Sequence, residues 1–264
     1  MASAAIVARI FTGLVVGILV GLTGIGGGIL LLPILTSFFG IPPLVAVGSD
    51  AVVNCVTKIG AGLVHWRRGN ISWRLVGSLA LGSVPGAVLG VVFLTAIHAR
   101  HGAGVNAFLK TTIAILLIVI PLISLYVRPP STEATIRDLD RKRVVGIAVI
   151  GFCVGLLVGV TSIGSGTVTL MLLLVFFGYA PALLVGTDVV HALLLTGVTS
   201  LLQMRLGNVD YAIVAPILLG SIPGGVLGAY IANRIPAKRL KQFLFVVLIA
   251  FGARMLWEGL IHGH

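Results

Sequence analysis

The sequence predicts an all-α, polytopic membrane protein built from two inverted structural repeats. Each repeat is a broken or re-entrant helix pair followed by three transmembrane helices. Three observations lead there: an apolar composition, an internal duplication, and an uneven distribution of basic residues. Of the 264 residues 58% are hydrophobic and only 9% charged, with a mean hydropathy of +1.17. A soluble domain carries about 25% charged residues, so no soluble unit fits in this chain.

The duplication holds one register throughout. Val20–Gly28 reads VGLTGIGGG and Val158–Gly166 reads VGVTSIGSG, 138 positions later. The same offset carries Phe38-Phe39-Gly40 onto Phe176-Phe177-Gly178 and Gly48-Ser49-Asp50 onto Gly186-Thr187-Asp188. It also carries Gly69-Asn70 onto Gly207-Asn208, and Gly82–Gly86 (GSVPG) onto Gly220–Gly224 (GSIPG). Apolar runs of spanning length, ~20 residues each, occur at 44–65, 73–97, 107–126, 144–161, 182–204, 211–232 and 241–260.

A further apolar stretch, 4–39, is too long for one straight span. As a continuous helix it would measure roughly 54 Å, against a hydrocarbon core of about 30 Å. It must break, and Thr23–Gly28 is the place. The second copy breaks likewise at Thr161–Gly166, leaving 166–177 as its short second piece. These divisions give a first transmembrane repeat over 1–127, a cytoplasmic linker over 128–142 and a second repeat over 143–264. Ile10–Leu22 behind Arg9 has the pattern of a signal peptide, but its partner lies mid-chain, which assigns it to the mature protein. Cys55 and Cys153 sit in apolar segments and are expected to pack rather than to pair.

The formal charge of +11 serves as a topology signal rather than a mark of nucleic-acid binding. If each broken element dips in and returns, the second copy is inverted, and one side collects twelve basic residues against four. If the broken element crosses once, the copies are parallel and the split is ten against six. The inverted arrangement is favoured, with the linker and the Arg67–Arg68 loop cytoplasmic. His65, Trp66, Arg67, Arg68 and Trp73 form an interfacial anchor.

Inverted repeats with interrupted helices are the pattern of secondary transporters, whose site lies at the repeat interface near mid-membrane. Each break leads into a short helix, whose N-terminus carries unpaired N–H groups and favours an anion. Glycine lets a ligand approach that backbone. Candidate binding residues are therefore Thr23, Gly24, Gly26, Gly27 and Gly28 in one copy. In the other they are Thr161, Ser162, Gly164, Ser165, Gly166 and Thr167. Gly24 becomes Ser162 and Gly27 becomes Ser165, which adds hydroxyls. The competing reading is that these small residues only let helices pack closely.

Asp50, Asn54 and Lys58 are spaced i, i+4, i+8 and share a face. A lysine inside an apolar segment is costly unless it is paired or faces a cavity. Lys58 either meets an anionic substrate or neutralises an acid on a neighbouring helix. In the second copy Asp188 and His191 lie at i, i+3, with Thr196, Thr199 and Ser200 further along. Asp50, Asp188 and His191 are the candidate coupling or gating groups. His191 titrates near working pH when unperturbed, and a structural histidine fits the pattern too. Both aspartates follow Gly-Ser or Gly-Thr shortly after Pro43 or Pro181, which suits a helix cap equally. Pro85 and Pro223 mark hinges against which the glycine-rich breaks pack, and Arg254 with Glu258 forms a local ion pair.

The duplicated GLTGIGGGILLLPIL and GVTSIGSGTVTLMLL, each followed by a GSD or GTD block and a GSxPG block, resemble the TauE/SafE sulfite-exporter family over essentially the whole chain. The resemblance implies a multi-pass carrier of the bacterial or archaeal inner membrane. It implies export of small sulfur-containing anions such as sulfite, sulfoacetate or related organosulfonates. It places the anion cradle at Thr23–Gly28 and Thr161–Thr167. The expected partners are a small anion, the bilayer and, compatibly, further copies of the chain; no metal, cofactor or nucleic acid is expected. No G-x-x-x-x-G-K-[ST] motif occurs to supply direct ATP drive. An anion channel is the alternative. An intramembrane hydrolase using Ser165 and His191 is a weaker one, because Ser165 corresponds to Gly27 in a copy with the same surroundings.

Overall fold

The computed structural model describes residues 2–23, 27–67, 69, 71–102, 104–126, 140–177, 181–231 and 237–261. Gly24, Gly26, the side chains of Thr23 and Thr167, and most of the linker lie outside the described residues. Ten helices follow in order among the described residues: α1 (Ala2–Thr23), α2 (Gly28–Ser37), α3 (Pro43–Arg67), α4 (Trp73–His101), α5 (Gly104–Tyr126), α6 (Arg141–Thr161), α7 (Thr167–Phe177), α8 (Pro181–Arg205), α9 (Tyr211–Ile231) and α10 (Ala237–Ile261). Among the described residues no strand occurs, as expected where lipid cannot satisfy an open backbone. Seven helices among the described residues, α1, α3, α4, α5, α6, α8 and α9, are long and apolar enough to cross a bilayer.

Both expected breaks are present, since α1 stops at Thr23 and α6 at Thr161. Their flanking pieces are unequal. The second pieces, α2 and α7, have 10 and 11 residues and reach only about half-way through a core. The first pieces have 22 and 21 residues, each a full crossing length rather than a shallow dip.

Small residues decide how these helices meet. On α1 and α9, a Cβ added at Gly13 would fall on the Ile217 carbonyl, at Gly17 on that of Ser221, and at Gly228 on that of Ile18. Gly220 and Gly224 of α9 are filled in the same way by Ile10 and Leu14. On α4 and α6 the equivalent set recurs: Gly82, Gly86 and Gly90 face Ala148, Phe152 and Leu156, while Gly151, Gly155 and Gly159 face Leu79, Ser83 and Ala87. Both pairs are parallel and in backbone contact, the close approach that small residues permit between membrane helices. The GSxPG blocks therefore pack on α1 and α6 rather than on the breaks. α4 and α9 run on as helices through Pro85 and Pro223, so the expected hinges are packing surfaces.

Equivalent helices pack differently. Cys55 of α3 stands beside Gly197 of α8, and Gly62 beside Val190 and Leu193, so numbering rises in one as it falls in the other. In α5 and α10, Lys110 bonds Glu258 while Ala114 lies against Gly252; these too are antiparallel. Equivalent helices of the two copies, α3 with α8 and α5 with α10, thus run in opposite senses where they meet.

The positions of the breaks follow. Gly17 touches Ser221, and Ser221 lies 3.5 Å from Thr57 near the centre of α3. Thr23 is therefore about 9 Å past the level of Thr57. Gly28 is already back beside Asp50, so α2 begins close to the middle of the bundle.

Hydroxyls inside the helices mostly bond the preceding turn, as Thr57 does to Val53 and Thr95 to Val91. This is the usual way to satisfy a threonine in an apolar helix. Cys55 and Cys153 are both free, but Cys153 is exposed on the outside of the bundle rather than packed. Trp66 and Trp73 are exposed at adjoining helix ends, as an interfacial anchor requires.

Candidate functional site

The two breaks meet at one aspartate. Asp50 Oδ2 accepts a hydrogen bond from Asn54 Nδ2 at 2.8 Å, one turn along α3. It accepts another at 2.7 Å from Ser162 Oγ, in the break of the other copy. Gly28 is pressed into the same place: a Cβ there would sit 2.7 Å from Asp50 Oδ2 and 2.8 Å from the Ser162 carbonyl. At Gly27 it would sit 2.7 Å from Asn54 Oδ1. The glycines at 27 and 28 thus let α3 carry its polar face against the start of α2.

The second break is a wound turn rather than an open loop. Ser162 takes the left-handed conformation at φ 58° and Gly164 has φ 107°. That conformation costs a serine roughly 1–2 kcal/mol, offset by the bond to a buried carboxylate. Thr161 is consumed locally: its Oγ1 donates to Leu157 O at 2.7 Å and accepts from Ile163 N at 3.2 Å. Gly166 N–H closes onto Gly164 O at 2.7 Å.

Lys58 completes the arrangement. Its Nζ donates to Ser165 Oγ at 2.8 Å and to Ser165 O at 3.2 Å, and the residue is buried. The ion pairs among the described residues lie elsewhere, Glu258 with Lys110 and with Arg254. Lys58 therefore does not form the contact ion pair that was its alternative, although Asp188 and Asp50 act on it at longer range. An ammonium has three N–H donors, and two are engaged.

Asp188 and His191 differ from their counterparts in α3. Asp188 corresponds to Asp50, but Ala192 stands where Asn54 would be, and the buried Asp188 Oδ1 has no hydrogen-bond partner among the described residues. His191 Nε2 lies 2.8 Å from Ser83 Oγ, both residues being fully buried, while Nδ1 has no partner among the described residues. The hydrolase pairing is not assembled: Ser165 is held by Lys58, and His191 by Ser83. Thr196, Thr199 and Ser200 bond carbonyls of their own helix and add nothing to the site.

Neither aspartate is a helix cap. Both lie in the second turn or beyond of α3 and α8, where the backbone N–H groups are already bonded. The observed caps are Ser72, whose Oγ accepts from Leu75 N, and Asp140, which accepts from Arg143 N; Asp210 accepts from Ala212 N. The residues preceding the aspartates do the cross-linking instead. Ser49 Oγ accepts from Asp210 N at the start of α9, and Thr187 Oγ1 from Ser72 N at the start of α4, both at 3.0 Å. The duplicated GSD and GTD blocks carry these hydroxyls beside the acids, so the repeat itself is their signal in the sequence. Ser83 was also legible as a repeated residue, but nothing in the sequence pointed it at His191.

A multi-pass helical bundle with paired helix breaks around buried charge is the architecture of a membrane transport protein. Residues 9–255 match the sulfite exporter TauE/SafE family, and the chain belongs to it. It is 37% identical to the probable membrane transporter protein YjnA of Bacillus subtilis, over 95% of this chain and 99% of that one. It is 27% identical to the probable membrane transporter protein YunE of the same organism, over 94% and 96%. To the probable membrane transporter protein MJ0441 of Methanocaldococcus jannaschii it is 29% identical, over 94% of each. No solved structure matches. The chain is a multi-pass membrane transporter.

Proposed function

We propose that this transporter is a secondary carrier that exports small sulfur-containing anions, such as sulfite, sulfoacetate or related organosulfonates, across a bacterial or archaeal inner membrane. The two repeats, 1–127 and 143–264, are inverted in the membrane, with the 128–142 linker cytoplasmic. The anion is held between the breaks by alternating access. Lys58 is the charge that attracts it, with Asn54, Gly27, Gly28, Ser162, Gly164, Ser165 and Gly166 around it. Thr23, Gly24, Gly26, Thr161 and Thr167 complete the binding set. Asp50, Asp188 and His191 are the coupling or gating groups.

The observation that carries this reading is the Lys58–Ser165 contact. It places a buried ammonium, outside contact with any described carboxylate, on the serine that distinguishes one break from the other. An incoming oxyanion can take over the bonds now made by Ser165, for which hydroxyl and ammonium donors suit its oxygens.

Flux of labelled sulfite in proteoliposomes tests the proposal, with sulfonates as further candidates. Saturable uptake that exchanges against internal anion is expected, and it is lost in Lys58→Ala while that variant remains folded. Linear flux without counterflow would instead indicate a channel. Undiminished carrier activity in Lys58→Ala would place the anion elsewhere.

A further inference from the structure

We infer that the units that move in transport are not the two sequence repeats but two composite halves, each containing helices from both copies, and that the site contacts form the latch between them. The inference rests on the carrier reading for its functional consequence. One half is α1, α3 and α9; the other is α6, α8 and α4.

Within each half the contacts are of kinds that do not slide. α1 and α9, like α4 and α6, are in backbone contact along several turns, with glycines seated on carbonyls of the partner helix. Any axial slip would drive a side chain into backbone, because interiors at this density are not continuously deformable. Hydrogen bonds tie the third helix to each pair. Ser49 joins α3 to the start of α9, and Thr187 joins α8 to the start of α4. Ser83 joins α4 to His191 of α8, and Thr57 lies 3.5 Å from Ser221 of α9.

Between the halves the contact at α3 and α8 is of side chains rather than of seated backbone. At the α3–α8 crossing a Cβ on Gly62 would sit 3.5 Å from Leu193 Cδ2, and on Gly197 3.8 Å from Cys55 Sγ. These are ordinary van der Waals distances, and no backbone is interlocked. The hydrogen bonds described across this seam are those of the candidate site, Asp50 with Ser162 and Lys58 with Ser165. A seam of packed side chains with a few exchangeable polar bonds is where shear or rocking occurs. Opening it separates Lys58 from Ser165, so binding and release are tied to the movement that exposes the site. Asp50 acts here as a positioning residue that holds the Ser162 turn.

Native Cys55 offers a direct test. In a Cys153→Ser background, Gly197→Cys places a second thiol within disulfide reach of Cys55 and locks the seam. A control joins α3 to α9 inside one half, with Thr57→Cys and Ser221→Cys in a chain carrying Cys55→Ala and Cys153→Ala. Oxidation of the seam pair should cut sulfite flux more than tenfold, with recovery on reduction. Oxidation of the within-half pair should leave flux within about twofold of its reduced form. Full flux with the seam disulfide complete by mass spectrometry would overturn the inference. If the reduced seam variant shows no flux while wild type does, spin-label distances decide instead. They also decide if wild type itself carries no sulfite, an outcome that sinks the substrate reading alone. Labels at Leu89 and Val145, exposed on α4 and α6, should give one narrow distance. Labels at Leu89 and Leu227, exposed on α4 and α9, should give a broad or two-peaked distribution. Equal widths for the two pairs would refute the composite halves.

Discussion

Asp50 and Asp188 occupy the same position in the two copies and live in different surroundings. Oδ2 of Asp50 is bonded by Asn54 and by Ser162, whereas no such pair of donors meets Asp188 among the described residues; each acid has one buried oxygen, Oδ1, without a partner there. The repeat placed an acid at the same position of each antiparallel helix, the eighth residue from its start. Two substitutions, Asn54 to Ala192 and Gly24 to Ser162, then gave both donors to one of them. A duplicated scaffold can thus stay symmetric in backbone while its polar chemistry collects on one side. The unequal side is also where Lys58 stands, opposite a position that is Thr196 in the second copy.

Ways to break this comparison can be ranked by expected effect. Lys58→Ala removes the site's ammonium and should lower anion affinity by about 2–5 kcal/mol, the range for losing one partner of a buried charged contact; titration calorimetry or flux KM measures it. Asp50→Ala strands the donors of Asn54 and Ser162 and should destabilise the fold by about 3 kcal/mol. Asp188→Ala, which strands no donor comparable to those of Asn54 and Ser162 among the described residues, should destabilise it far less. Equal losses in thermal unfolding would dissolve the contrast between the acids. Gly17→Ala and Gly155→Ala occupy equivalent positions in the two backbone-packed pairs, each facing a serine carbonyl. Each should cost about 1–3 kcal/mol by overpacking, and the two should match, because the scaffold is the symmetric part. A large inequality would show that the symmetry is only superficial.

The smallest effect is the most discriminating. Ser162→Gly recreates the residue of the other copy. It relieves a left-handed serine, worth about 1–2 kcal/mol, and forfeits a hydrogen bond of about the same size. Stability should change by less than about 1 kcal/mol while transport falls, since Asp50 no longer holds the turn. Unchanged transport would make the serine dispensable and leave Lys58–Ser165 as the contact that matters.

The sequence by itself determined the helices and their breaks. Composition demands spans, span length fixes their number, and a 36-residue apolar stretch (4–39) has to interrupt itself near its glycines. It also marked Asp50, Asn54 and Lys58 as one face, since helical spacing is local. Tertiary structure decided what those residues touch. That Lys58 reaches Ser165 rather than an acid, and that Ser49 and Thr187 bond the starts of distant helices, depends on which helices of opposite copies are neighbours. The glycines show the division most plainly. Beside Pro85 and Pro223, those at 82–86 and 220–224 have the local pattern of hinges. The structure uses them to seat one helix backbone on another, because a missing side chain acquires its meaning from the surface that fills its place.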